Sequence, residues 1–134
     1  MPATDAAEQV AFWRRRWDED GFAHWAACER ESGQLVGRVG LLRHHDWPLA
    51  PEAVEVGWVL DRAFWGRGLA TEGGRAAADA WRRHLPEDDI LYSFTIPRNT
   101  RSRAVMERLG MTFGGSALWH GLEHVWYFLR RENV

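Results

Sequence analysis

The stretch from Ala53 to His84 limits what this chain can become more than any other part of it. An alternating run, Ala53-Val54-Glu55-Val56-Gly57-Trp58-Val59-Leu60, passes through Asp61-Arg62-Ala63-Phe64 into Trp65-Gly66-Arg67-Gly68-Leu69-Ala70, and a helical pattern follows to His84. A strand delivered through a glycine turn into a helix belongs to sheets flanked by helices. The glycines permit positive φ and let a ligand approach the backbone without interference from a Cβ. N–H groups in the first helical turn have no partner inside the helix, and the helix dipole adds positive charge there. Such a turn suits a phosphate or pyrophosphate, with Arg67 able to add a charge-assisted contact.

Two familiar phosphate loops do not match. A Walker A loop ends in Gly-Lys-Ser/Thr, and all 17 basic residues of this chain are arginine. A dinucleotide fingerprint requires Gly-x-Gly-x-x-Gly, whereas Gly66-x-Gly68 is followed by Ala70, and no acidic residue stands suitably about 20 positions on. A plain strand-to-helix turn with no ligand is the other reading of the motif.

The remaining pattern fills in an α/β order. Val10, Trp13 and Trp17 recur at helical spacing before Gly21. His24 to Arg30 and Gln34 to Arg43 read as a hairpin across Glu31-Ser32-Gly33, and His44 to Pro51 as a loop. The helix after the glycine turn has a face of small residues, Gly73, Ala76, Ala77 and Ala80 beside Leu69, which predicts close packing on the sheet. Ile90 to Ile96 is a fourth strand, and Asn99 caps a helix that ends at Leu109 before Gly110. Met111 to Leu118 and His124 to Arg130 are the last strands. The order α, β, β, β, α, β, α, β, β predicts a mixed central sheet flanked by helices, in a single domain spanning residues 1–134. Most of the nine tryptophans read as packing; Trp47 and Trp119, near predicted loops, are candidates to line a ligand site.

Composition narrows the function classes. A net charge of −2 leaves no basic excess for nucleic acid. No apolar run approaches the roughly 18 residues that cross a bilayer, so no membrane partner is expected. Met1-Pro2-Ala3-Thr4-Asp5 has no basic segment followed by an apolar one, and the expected location is cytoplasmic. Cys28 is the only cysteine, which rules out an intrachain disulfide. The six histidines do not share a helical face with carboxylates, so no metal site is expected.

A second motif brings in a family. The run Asn99-Thr100-Arg101-Ser102-Arg103-Ala104-Val105-Met106-Glu107-Arg108-Leu109-Gly110-Met111 resembles the GNAT signature Asn-x-x-Ser-x-x-Val-x-Glu-Lys-Leu-Gly-Phe. The glycine turn is similar to that superfamily's Gln/Arg-x-x-Gly-x-Gly/Ala loop, and Trp-Gly-Arg-Gly-Leu-Ala-Thr-Glu after Val54-Glu55-Val56-Gly57-Trp58 resembles the RimJ/RimL-like branch. The resemblance covers residues 21 to 131. Trp65 departs from the family's Gln or Arg. Relatives of this branch begin with a strand containing Arg-Leu-x-Leu-Arg, whereas this chain opens at what reads as a later helix; the expectation is either a naturally shortened domain or a first strand that is absent or supplied by another chain.

The resemblance implies a GNAT fold and an N-acetyltransferase using acetyl-CoA as cosubstrate, without a metal. It places acetyl-CoA in an opening between the third and fourth strands. Val56, Trp58, Val59 and Leu60 would meet the pantetheine, and Arg67, Gly68, Leu69, Ala70 and Thr71 the pyrophosphate. Asn99 and Ser102 would lie beside the cofactor. Glu55 would be the general base, the backbone N–H of Trp58 the oxyanion donor, and Ser102 the partner of the leaving thiolate. The acceptor would be an amine-bearing small molecule or a protein N-terminus. Two rivals remain at this point: an acyl-CoA-binding module without catalysis, and a homodimer whose second copy completes the sheet.

Overall fold

The computed structural model describes the backbone of residues 3–131, with the side chains of residue 8 and of residues 11–131. Val10, assigned above to a helical face, has its side chain outside that set. The elements are α1 (Ala3–Asp20), β1 (His24–Cys28), β2 (Leu35–His44), β3 (Ala53–Leu60), α2 (Leu69–His84), β4 (Ile90–Thr95), α3 (Thr100–Arg108), β5 (Thr112–Trp119) and β6 (Leu122–Arg130). The six strands form one sheet in the order β1-β2-β3-β4-β6-β5, parallel only between β3 and β4. This is the mixed sheet flanked by helices that the pattern predicts.

Strand alternation divides the sheet into two faces. Leu41, Val54, Val56 and Leu91 meet Ala77, Ala78 and Trp81 of α2 and Met106 of α3 in the main core. The other face gathers Trp47, Ala53 and Phe94, with Tyr92, Trp119 and Trp126 packed around them. Helix α1 reaches the sheet through Trp13, which stacks on His24 at 4.7 Å, and Trp17, whose Nε1 donates to the His24 carbonyl.

Small residues do bring α2 close to the sheet through the predicted Gly73, Ala77 and Ala80, but one predicted position, Ala76, takes no part. Gly73 lies against Val39 and Gly74 against Leu109, the buried positions are Thr71, Gly74, Ala77, Ala78 and Trp81, and Ala76 is exposed. A β-carbon at Gly73 would stand 2.9 Å from Val39 Cγ1. The tryptophans also divide differently from expectation. Trp81 is fully buried and Trp25 is 40% exposed, while Trp47, read as a loop residue, is buried in the second core.

Helix α3 starts and stops as its sequence directs. Asn99 Oδ1 accepts from Ser102 N at 3.2 Å. At the other end Gly110 takes φ 83°, and Met111 N donates to Met106 O, closing a left-handed C-terminal turn.

A candidate acyl-coenzyme A cleft and acceptor face

The ladder between β3 and β4 is short. Only Val54↔Leu91 and Glu55↔Tyr92 are in register, and residues 56–60 of β3 have no β4 partner. The sheet therefore forks, with α2 at the open end and α3 alongside. Ser93, 1% exposed, donates its hydroxyl to the Val56 carbonyl at 2.8 Å and closes the crotch of the fork. No sequence motif singled out Ser93; a serine in an apolar strand was the only signal.

The glycine turn stands at the mouth of this fork. Gly66 and Gly68 have φ of 79° and 74°, a region that L side chains rarely adopt. Gly68 is the N-cap of α2 and supplies no side-chain hydrogen bond, so the first-turn N–H groups of Leu69, Ala70 and Thr71 remain uncapped. The contrast with α3 is informative, because there Asn99 occupies that role. Trp65 takes a structural part: its Nε1 donates to Leu60 O at 3.0 Å. Its ring carries the guanidinium of Arg101 at 4.6 Å and of Arg62 at 5.5 Å, which sets two exposed cations beside the turn. Arg67 instead pairs with Glu29, whose pKa is lowered by hydrogen bonds from Ser32 and then Arg67.

Trp58 and Ser102 meet across the cleft, Trp58 Nε1 donating to Ser102 Oγ at 3.2 Å. Because the indole fills an acceptor position of Oγ, the serine hydroxyl hydrogen is left for another partner. Val56, Trp58 and Leu60 alternate with Glu55, Gly57 and Val59 along β3, so Glu55 lies on the other face from Ser102.

On that other face Glu55 Oε1 is 2.7 Å from His44 Nε2, and both side chains are about one-sixth exposed. A carboxylate only accepts, so His44 donates from Nε2. His44 was read as the start of a loop; it is instead the last residue of β2. Its ring meets Trp119 edge-on at 4.9 Å and lines a depression of about 270 Å³ with Phe12, Arg16, Leu42 and His120. Tyr127, 2% exposed and bonded to Arg103, belongs to the main core. Among the described residues no group of three His, Cys, Asp or Glu side chains could hold a metal, and no helix is long and apolar enough to cross a membrane.

His24 is the most perturbed histidine of this face. Burial first, then the charges of Arg38 and His44, push its pKa down from 6.5 to about 3. The unfolded chain therefore takes up a proton below pH 6.5 that the folded chain refuses until about pH 3. Stability from this group is complete above the unfolded value and is lost as the pH falls, by about 1.4 kcal/mol per pH unit inside the window. His24→Gln is expected to flatten that slope in urea titrations compared between neutral and mildly acidic buffer.

Comparison with known proteins agrees with this architecture. An acetyltransferase from Agrobacterium tumefaciens is 28% identical, superposes with a TM-score of 0.77, and is matched over 97% of this chain and 73% of its own. The ribosomal-protein-S5-alanine acetyltransferase of Vibrio fischeri shares the fold at 18% identity, with a TM-score of 0.73 over 96% of this chain and 73% of its own. The uncharacterized protein YkkB of Bacillus subtilis is 26% identical over 103 residues; the match takes in 75% of this chain and 58% of that protein's length. Residues 1–112 match the family model described as the acetyltransferase (GNAT) domain. With the forked sheet and the uncapped glycine turn in place, and most of its length matched, the chain belongs to the GNAT acetyltransferase family.

Proposed function

We propose that this chain is an acetyl-CoA-dependent N-acetyltransferase of the RimJ/RimL-like kind, acting on an amine of a small molecule or a protein N-terminus. The observation that carries the reading is the fork between β3 and β4 opening onto the uncapped first turn of α2. The free strand edge over residues 57–59 suits the amides of pantetheine, since the Val56 carbonyl is engaged by Ser93 and the Leu60 carbonyl by Trp65. The N–H groups from Arg67 to Thr71 suit the pyrophosphate, and Arg62 and Arg101 add positive charge. Asn99 acts by fixing the start of α3 and so the place of Ser102.

The bound cosubstrate supplies an acetyl thioester, and the protein supplies the rest. An alkyl ammonium has a pKa near 10 and must lose a proton before its nitrogen can attack. Glu55 accepts that proton, held in orientation by His44. The backbone N–H of Trp58 meets the charge that develops on the acyl oxygen. Ser102, its oxygen held by the Trp58 indole, donates its hydroxyl hydrogen to the departing sulfur. The acceptor enters from the depression beside His44 and Trp119.

Calorimetric titration of acetyl-CoA and of CoA into the purified chain tests the reading. Saturable binding is expected, and Gly68→Glu should weaken it by about 100-fold or more, because it forces a left-handed position and brings a carboxylate against the pyrophosphate. Absence of binding at millimolar ligand removes the enzymatic reading. With no lysine in the chain, its own side chains offer no competing amine during acetylation assays.

A further inference from the structure

The charged groups around the depression beside His44 are unequally engaged. Its wall carries Arg16, Arg43 and three histidines, with Asp46 as its one carboxylate. Asp46 is already held: His120 Nε2 stands 3.0 Å from its Oδ2, and Trp119 Nε1 donates to its carbonyl. His120 reaches it from a strained position, with φ 52° where every other positive φ among the described residues belongs to glycine. Arg43 is also occupied, with two bonds of 3.0 Å to Asp88 and one to the Glu52 carbonyl.

Arg16 differs from both. Its nearest carboxylates among the described residues, Glu19 and Asp20, stand 3.8 and 3.7 Å away, beyond hydrogen-bond reach. Asp20 Oδ2 is buried without a hydrogen-bond partner, so this pair is coulombic rather than bonded, and Asp20 does not line the depression. The Arg16 guanidinium lies 5.3 Å from the Phe12 ring, and both residues form the wall. It presents five N–H donors in a planar fork that matches a carboxylate. The apolar remainder of the wall is Phe12, Leu42 and Trp119. A volume of about 270 Å³ is below the usual range for drug-sized ligands and suits a small molecule.

We propose that the acceptor is a small amine that also bears a carboxylate, joined through an apolar body, and that Arg16 selects it. The inference rests on the N-acetyltransferase reading above and chooses between its two acceptors. The carboxylate docks on the Arg16 fork, and the apolar body lies along Phe12, Leu42 and Trp119. The amine then turns to the His44 end, where Glu55 takes its proton. The carboxylate takes no part in bond making; its pairing with Arg16 fixes which amines are presented. A polycation finds no free carboxylate on this wall, because the only one is held by His120.

The test compares acids with their carboxamides. Rates of CoA thiol release are measured with leucine, phenylalanine, γ-aminobutyrate and ε-aminocaproate, each beside its carboxamide, and with a peptide amide bearing glutamate at its second position. At least one acid is expected to exceed its carboxamide in kcat/KM by about 10- to 100-fold, the factor a charge-assisted hydrogen bond supplies. Arg16→Gln should raise KM for that acid and erase the difference. Arg16→Lys should restore part of it, returning the charge without the fork. Calorimetric titration of the N-acetylated acid and its carboxamide into the CoA complex reads the same preference without turnover. Acids and carboxamides treated alike by the wild type, a preference untouched by Arg16→Gln, or a peptide preferred to every free acid each overturn the inference. Wild-type protein that binds no CoA takes down the acetyltransferase reading and this inference with it. CoA bound without any preference for a carboxylate removes only the choice of acceptor.

Discussion

Glu55→Gln is expected to slow acetyl transfer by about 10²- to 10⁴-fold, the usual contribution of a positioned general base. The substitution keeps the shape of the side chain, and its amide oxygen can still accept from His44 Nε2. What it removes is the capacity to take a proton from an ammonium. CoA affinity should stay unchanged, because Glu55 projects from the opposite face of β3 to Val56 and Trp58. Release of CoA thiol from acetyl-CoA, followed with a set of primary amines, gives the rate, and calorimetry gives the affinity. A variant as fast as the wild type would place the base elsewhere. One that loses CoA binding would mean that Glu55 holds the strand rather than the proton.

The largest loss of stability is expected at Trp81. Its side chain is fully buried between α2 and the sheet, and its Nε1 donates to the Asp88 carbonyl at 2.9 Å. The Arg131 guanidinium lies over its ring at 4.6 Å while donating to the carbonyls of Trp81, Arg82, Leu85 and Asp88. Trp81→Ala should cost about 3–5 kcal/mol through lost burial and the cavity left behind. That is a large part of the roughly 5–15 kcal/mol that holds a domain together. Urea denaturation measures it, with Trp81→Phe expected to lose less. A change below about 1 kcal/mol would contradict the packing described, since buried aromatic truncations cost several times that.

The element order was readable because each signal is local. Glycine after a helix, asparagine before one and alternation within strands act over a few residues, and α3 begins and ends where Asn99 and Gly110 say it should. The glycine turn was legible for the same reason. What the chain did not reveal are contacts made across the sheet. His44 joins Glu55 only because β2 and β3 pair in one particular register, and residues 11 apart carry no sign of that. Ser93 is anonymous until the β3–β4 ladder stops beside it. The predicted contact face of α2 holds at Gly73, Ala77 and Ala80 and fails at Ala76, which is exposed; Ala76 and the buried Gly74 and Ala78 are all small, and composition alone cannot choose among them. Trp47 does sit in the loop that Pro48 and Pro51 mark, but nothing local showed that its ring is buried there, stacked on Phe94 at 4.0 Å.

The fork has a mechanical consequence. The β1–β2–β3 and β4–β6–β5 ladders are each closed by antiparallel pairing, while two registered pairs and one serine hydroxyl stitch them together. The sheet thus has a seam down its middle, and opening along it breaks fewer strand bonds than peeling either outer strand. A ligand lying in the seam acts as a suture: it binds only while both halves are aligned, and mass action then stabilises that alignment. Amide hydrogens flanking the seam should exchange fastest in the free protein and gain the most protection when it is filled.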